Sequence, residues 1–361
     1  MGRFARVFRC IFWALTALSI NANATPVDWL YDVDVPVTDQ SSDARAAGFR
    51  QALTIVLKRV SGLNEIPPNA AVSAALESPQ RYFVEYRYRS VDNPVPGASP
   101  PKVLQLSVHF VDSAIQKLIT EASLPQWSAN RPTTLAWIVV VNGSERSVLG
   151  AGDASPLLAS MREHARERGL PLLFPTMDLE EQSAVTAATV TSSNETVLET
   201  ASQHYGADQM LVGRATLGAN DAWTADWQVW QHGNQQRFVI ESPTSEAAGA
   251  AVVDRMIELL VARYVVASGN QERIRLRVDG VANVGDYGAL LKYLGGLDFI
   301  GGLQVEEVRA NVVDLSITTR TPWDRLRDLL ALDGRLVPAE QIAGGPGTDR
   351  RVLTWHGERA R

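Results

Sequence analysis

Two aspartates near the beginning of the chain have a spacing that could support metal binding. Asp32 and Asp34 alternate with apolar residues, so they lie on the same side of a predicted strand. With a third oxygen donor they could hold a divalent cation. No Asp/Asn/Gly loop pattern accompanies them, so a solvated strand face is the competing interpretation, and we assign no metal site.

Three tryptophans form the second unusual group. On one strand Trp223 and Trp227 share a face, while Trp230 lies on the opposite face. Ala225 and Val229 lie on the side of the first pair, which predicts that this side faces the core. Trp230 is therefore predicted to be exposed and is our candidate contact for a partner or glycan, because Trp is a frequent interface anchor. The alternative is that the tryptophans simply fill the space between the hairpin and a helix.

The sequence contains no recognised catalytic motif. A Gly-x-Ser-x-Gly elbow, a P-loop, a dinucleotide fingerprint and a His-Glu-x-x-His pattern are all missing. The five histidines stand far apart, which leaves open a Ser-His-Asp site assembled by the fold. We therefore predict no catalytic residue and no cofactor, and we favour a non-enzyme without excluding an enzyme.

Residues 1–24 have the features of an export signal. Arg3, Arg6 and Arg9 give a positive start, residues 10–20 are apolar, and Ala22-Asn23-Ala24 supplies a small-x-small cleavage site. The apolar run is shorter than the ~20 residues that span a bilayer. We predict cleavage after Ala24 and a periplasmic protein that is not integral to the membrane.

Charge and cysteine content narrow the possible partners. The formal net charge is −6, and no dense block of Lys and Arg is present, so a nucleic-acid partner is not expected. Arginine is used far more than lysine, which either reflects codon composition or indicates carboxylate recognition. The single cysteine, Cys10, lies in the signal, so the mature chain lacks disulfides and thiolate chemistry.

The elements that must position these residues form three predicted modules of mixed α/β and α+β character. Residues 25–130 read as β-α-β-β-α, with Phe49, Leu53, Val56 and Val60 on the buried stripe of the first helix. Residues 131–268 form a central α/β module in which Gly206 closes a helix before an apolar strand. Residues 180–194 are predicted to be a polar loop, and residues 232–235 a hairpin turn.

The third module has the ferredoxin-like order. Residues 272–338 read as β-α-β-β-α-β, with residues 335–337 as the last strand. Residues 339–361 are predicted to be a tail. The predicted fold is thus a central mixed sheet with helices, preceded by an α+β layer and followed by a ferredoxin-like module.

The N-terminal sequence resembles a known group of exported proteins. Residues 30–37 (LYDVDVPV), residues 44–53 (ARAAGFRQAL) and residues 59–62 (RVSG) look like the Gram-negative domain-of-unknown-function family 2066. That resemblance implies an exported protein and supplies no catalytic residues.

Three functions remain open at this level. The leading hypothesis is a non-enzymatic periplasmic protein that binds another envelope protein or peptidoglycan. An envelope hydrolase acting on peptidoglycan or another glycan is the second, and a structural subunit of an envelope assembly is the third. A pocket with convergent carboxylates or a Ser-His pair would favour the hydrolase.

Overall fold

The described part of the chain confirms a mixed α+β fold with three sheets. The computed structural model describes residues 27–92, 99, 101–218, 220–231, 234–264, 272–297, 299–332, 334–339 and 350–357. The predicted export signal and the first two residues of the predicted hairpin turn lie outside these ranges. No helix in the described ranges is long and apolar enough to cross a membrane.

The N-terminal module is a three-stranded antiparallel sheet covered by helices on one face. Its strands are β1 (Asp32–Val37), β2 (Phe83–Asp92) and β3 (Lys102–Phe110), in the order β1-β3-β2. The helices are α1 (Ser42–Ser61), α2 (Ala70–Glu77) and α3 (Asp112–Glu121). Apolar residues of β1 and β3 share one buried cluster with the three helices, so the alternating polar residues form the opposite, open face.

Helix α1 forms as its sequence predicts. The Ser41 side chain accepts a hydrogen bond from the backbone N–H of Ala44 and so caps the first turn. Gly62 ends the helix with φ of 74°, a conformation that glycine adopts without a Cβ clash. The predicted stripe of Phe49, Leu53, Val56 and Val60 is buried.

The central sheet has helices on both faces. Its strands are β4 (Thr134–Asn142), β5 (Glu145–Leu149), β6 (Leu172–Leu173), β7 (Gln209–Leu217), β8 (Trp223–Gln231) and β9 (Asn234–Ser242). Strands β4 and β7 are parallel, and the order is β5-β4-β7-β8-β9 with β6 beside β4. One face is covered by α4 (Pro156–Arg168) and α8 (Ser245–Tyr264).

The second face of the central sheet is covered by three short helices. They are α5 (Leu179–Ala184), α6 (Ala187–Thr191) and α7 (Glu195–Ser202). The prediction of a polar loop over residues 180–194 is therefore wrong. Side-chain caps at Asp178 and Thr186 start α5 and α6, and Val185 and Val190 supply the apolar contacts. The helices were not predicted because this segment has too few apolar residues to show a helical period.

The prediction for the tryptophans of β8 is correct for the face that carries Trp227 and wrong for the face that carries Trp230. Trp227 is fully buried against α4 and α8, as predicted, and Gly213 of β7 makes room for its ring because a Cβ there would overlap it. Trp223 is half-buried. The prediction that Trp230 is exposed is wrong, since it is only 4% exposed. It packs with Trp137 and Leu198 under the helices that cover the second face.

The C-terminal sheet contains the predicted elements and one more strand. Its strands are β10 (Glu272–Asp279), β11 (Ile300–Arg309), β12 (Val312–Thr319), β13 (Leu336–Pro338) and β14 (Arg350–Trp355), and its helices are α9 (Val284–Gly295) and α10 (Trp323–Ala331). The chain order up to β13 is the predicted β-α-β-β-α-β. The sheet order is β11-β12-β10-β14-β13, with β14 parallel to β10.

Strand β14 corrects the prediction of a tail over residues 339–361. It occupies the place beside β10 that a ferredoxin-like sheet gives to its fourth strand, and β13 lies outside it at the sheet edge. Leu353 and Trp355 are buried in the same cluster as residues of the central sheet. The strand was not predicted because it has only six residues, begins with two arginines and follows a glycine-rich stretch.

A buried arginine joins the first two modules. Arg131 is fully buried and donates hydrogen bonds to the carbonyl oxygens of Arg59 (2.6 Å) and Gly169 (2.6 Å), which belong to α1 and to the end of α4. Its guanidinium also lies 3.9 Å from the centre of the Trp127 ring. Helix α4 is thereby fixed beside the N-terminal sheet.

Candidate ligand-binding site

Polar side chains fill two rows across the open face of the N-terminal sheet. The strand register places Asp32 opposite His109 and His109 opposite Glu85, which forms the first row. The second row is Asp34, Ser107 and Arg87. Residues directly opposite each other on one face of a sheet have Cβ atoms ~5 Å apart, so each row is a chain of neighbours.

These rows form one wall of a cleft at the junction of the first two modules. The cleft has a volume of about 230 Å³. Its other walls are Trp29, from the 3-10 turn Asp28–Tyr31, and Arg166, from α4 of the central module. The lining residues are Trp29, Asp32, Val33, Asp34, Glu85, Tyr86, Arg87, Arg89, Ser107, Val108, His109 and Arg166.

The basic end of the cleft contains three arginines and one aspartate, which two of the arginines contact. Asp34 Oδ1 accepts hydrogen bonds from Ser107 Oγ (2.5 Å) and from the Arg89 guanidinium (2.7 Å). The Arg166 guanidinium lies 3.8 Å from Asp34 Oδ2. Burial opposes ionisation of Asp34, but these hydrogen bonds and the charges of Arg89 and Arg166 together hold its pKa below the ordinary value.

The third arginine of this end remains available. Arg87 is exposed, and its side chain makes no hydrogen bond or ion pair with any described residue. Asp34 is already matched by Arg89 and Arg166, so the basic end holds more positive than negative charge. An anion that enters the basic end can therefore bind the Arg87 guanidinium without displacing another side chain.

The acidic end of the cleft contains His109 between two carboxylates. His109 Nδ1 lies 2.7 Å from Asp32 Oδ1, and both side chains are about half exposed. Glu85 lies opposite His109 on the neighbouring strand and is exposed, and its side chain has no hydrogen-bond or ion-pair partner among the described residues. The charges of the cleft are therefore separated along the strands.

Two guanidinium groups lie close to the Trp29 ring. Arg59 lies 5.3 Å and Arg166 lies 5.2 Å from the centre of the Trp29 ring. Arg59 is buried and donates to the carbonyl oxygens of Leu30 (3.2 Å) and Asp32 (2.7 Å). Burial, with the nearby charge of Arg166, lowers the pKa of Arg59 to about 10, so it stays protonated at neutral pH. Arg59 therefore links the backbone next to Trp29 to α1.

The structure brings some of the predicted candidates together and separates others. Asp32 and Asp34 share the open face, as predicted, but each is paired with a basic side chain. The described residues include no group of three His, Cys, Asp or Glu that could hold a metal ion. Trp230 lies in the central module, away from the cleft and buried. Ser107 donates to Asp34 and not to His109, so the two do not form a nucleophile–base pair.

Sequence reasoning missed Trp29 and the arginines of the cleft. Glu85, Arg87 and Arg89 alternate with tyrosines in β2, and Asp32 and Asp34 alternate with valines in β1. Both alternations indicate a solvated sheet face. The meeting of these side chains across β3 depends on strand order, and Arg166 comes from a helix more than fifty residues beyond the last cleft residue of the sheet. Neither fact has a signal in the sequence.

The N-terminal module matches a family of unknown function. Residues 24–128 match the family model described as a domain of unknown function, DUF8605. The predicted resemblance to family 2066 is therefore wrong, because the model that matches is a different one. The match spans less than half of the chain and includes every cleft residue except Arg166. No curated protein matches the chain.

Proposed function

We propose that this chain is an exported, non-enzymatic binding protein of the cell envelope that holds an anionic group in its N-terminal cleft. The observation that carries the proposal is the basic end of the cleft. There the Arg87 side chain has no partner among the described residues, and Arg89 and Arg166 already compensate the negative charge of Asp34. Guanidinium groups bind carboxylates and phosphates through paired N–H donors. The arginine-rich composition agrees with this use.

The geometry supports binding over catalysis. The hydroxyl proton of Ser107 is directed to Asp34, and Arg89 Nε donates to Ser107 Oγ at 2.9 Å. A hydroxyl held in this way positions charges and is not activated by a histidine. Its role in the cleft is to keep Asp34 and Arg89 together.

The envelope location of the proposal rests on residues 1–24. Their charged start, apolar stretch and Ala-x-Ala site are those of an export signal. The family match begins at residue 24, where the predicted signal ends. Intact-mass measurement on the chain expressed with residues 1–24 should give a protein that begins at Thr25 in the periplasmic fraction. A membrane-bound protein that begins at Met1 would contradict cleavage and release into the periplasm.

Binding of simple anions tests the proposed function. Acetate and inorganic phosphate are titrated separately into the full chain by calorimetry, which distinguishes the two anion chemistries. Arg87→Gln should weaken binding of the preferred anion at least tenfold, about 1.4 kcal/mol. Arg50→Gln is the matched control, because Arg50 is exposed on α1 outside the cleft. Equal affinity of parent and Arg87→Gln would refute the assignment.

A hydrolase is the second candidate, and one observation favours it. Asp32 holds Nδ1 of His109, so Nε2 is the ring nitrogen left to accept a proton from a water or substrate in the cleft. The test is release of soluble fragments from peptidoglycan by the parent and by His109→Gln. Fragment release that depends on His109 would establish the hydrolase in place of the binding protein.

A further inference from the structure

The two ends of the cleft carry unmatched charges of opposite sign at a defined spacing. Glu85 and Arg87 are two residues apart on β2 and lie on the same face, in neighbouring rows of the sheet. Two residues along a strand correspond to ~7 Å between their Cα atoms. Both side chains are exposed, and neither has a hydrogen-bond or ion-pair partner among the described residues.

The inner ionisable side chains of the cleft already have partners, which leaves Glu85 and Arg87. At the acidic end Asp32 is engaged by His109 Nδ1 at 2.7 Å, and the Glu85 side chain has no such partner among the described residues. At the basic end Asp34 is matched by Arg89 and Arg166, which leaves Arg87. A ligand that carries only a negative charge would leave Glu85 without a partner and close to its own anion.

We infer that the cleft binds a zwitterion whose ammonium and carboxylate groups lie about 7 Å apart, as in a free dipeptide. This inference rests on the proposed function, because it places the ligand carboxylate on Arg87. Each extended residue spans ~3.3–3.6 Å, so two residues bridge the spacing from Glu85 to Arg87. A single amino acid, with its charges on one Cα, is too short to engage both.

The size of the cleft agrees with a short ligand. Its volume of about 230 Å³ is below the ~300–1,000 Å³ of sites for drug-sized molecules. Trp29 and Arg166 close the side opposite the sheet and limit the length of any substituent directed toward α4. A dipeptide with small side chains satisfies both limits.

Capped dipeptides test the inference on the full chain. Alanyl-alanine is titrated by calorimetry against alanine, against N-acetyl-alanyl-alanine, which lacks the ammonium, and against alanyl-alanine amide, which lacks the carboxylate. Alanyl-alanine should bind at least tenfold more tightly than the other three. In Glu85→Gln, alanyl-alanine should bind no more tightly than its acetylated form. In Arg87→Gln, alanyl-alanine should bind no more tightly than its amide.

The outcomes separate this inference from the proposed function. Equal affinity for alanyl-alanine and its acetylated form in the parent would overturn the zwitterion while leaving anion binding intact. If alanine binds as tightly as alanyl-alanine, the inferred separation of about 7 Å between the two charged groups of the ligand is wrong. Absence of binding by both carboxylate-bearing dipeptides, acetate and phosphate would refute both proposals. Glu85 and Arg87 are exposed, so thermal unfolding of the two variants should match the parent, which verifies that they fold.

Discussion

At the scale of single residues, Asp34 connects the stability of the protein to pH. Its pKa in the folded protein is below its ordinary value of 3.8, so folding favours the ionised form. The stabilisation is therefore complete above about pH 5 and is lost as the pH falls through the lowered pKa. Urea unfolding at several pH values should show that the deficit of Asp34→Asn relative to the parent shrinks between pH 5 and pH 2. A deficit that stays constant over this range would contradict the arrangement.

The two buried tryptophans of β8 give a second prediction at this scale. Trp227 and Trp230 are 1% and 4% exposed on opposite faces of the central sheet. Replacement of either by Ala should lower the free energy of unfolding by ~3–5 kcal/mol. Val239→Ala on the neighbouring strand is the control, since Val239 is 57% exposed and should change stability by ~0.5 kcal/mol or less. A Trp230→Ala variant as stable as that control would mean that Trp230 faces solvent.

These residues also show where sequence reasoning stops. The alternation in β8 correctly placed Trp227 on an inner face. The same alternation placed Trp230 on the opposite face but could not show that this face is covered, because α5 and α6 are short and weakly periodic. The side of a strand is a local property, whereas burial depends on what packs there.

At the scale of elements, strand β14 is the feature most open to test. Leu353 is fully buried, while its neighbour Val352 is 39% exposed. Leu353→Ala should destabilise the protein by ~2–5 kcal/mol, and Val352→Ala should cost much less, because only the first leaves a core cavity. The measurement is chemical unfolding of the two variants against the parent. Similar small losses would show that β14 is not part of the sheet.

Elements with strong local signals were predicted well. Helix α1 has a side-chain cap, a regular apolar stripe and a closing glycine, and each of these features is present in the structure. Gly206 likewise has φ of 59°, as its place before the apolar strand predicts. Strand β14 has none of these signals, and its partner β10 lies about 75 residues earlier in the chain.

At the scale of the whole molecule, Arg131 should couple the first two modules. Its removal in Arg131→Met leaves the buried carbonyl oxygens of Arg59 and Gly169 without this donor, at ~1–3 kcal/mol for each. Calorimetry should show a loss of ~3 kcal/mol or more and a broadened or split transition. Arg146→Met, at an exposed position on β5, is the control. A single transition at the parental temperature would contradict the coupling.

The cleft is also a property of the whole molecule. Its sheet wall follows from alternations that are readable in β1 and β2, but Arg166 reaches it only because α4 packs beside the N-terminal sheet. The sequence therefore predicted the polar face but not the pocket, and its candidate contact residue, Trp230, lies elsewhere. Contacts between modules carry no periodic signal in the chain.

The central claim, that an anion binds at the basic end of the cleft, is tested most directly by nuclear magnetic resonance. The Nε–Hε signals of the arginines are followed while N-acetyl-alanyl-alanine is added to the full chain. The largest shifts should occur at Arg87 and Arg166, with smaller ones at Arg89, and they should disappear in Arg87→Gln. Shifts centred on arginines of the other modules, or shifts that persist unchanged in Arg87→Gln, would contradict the claim.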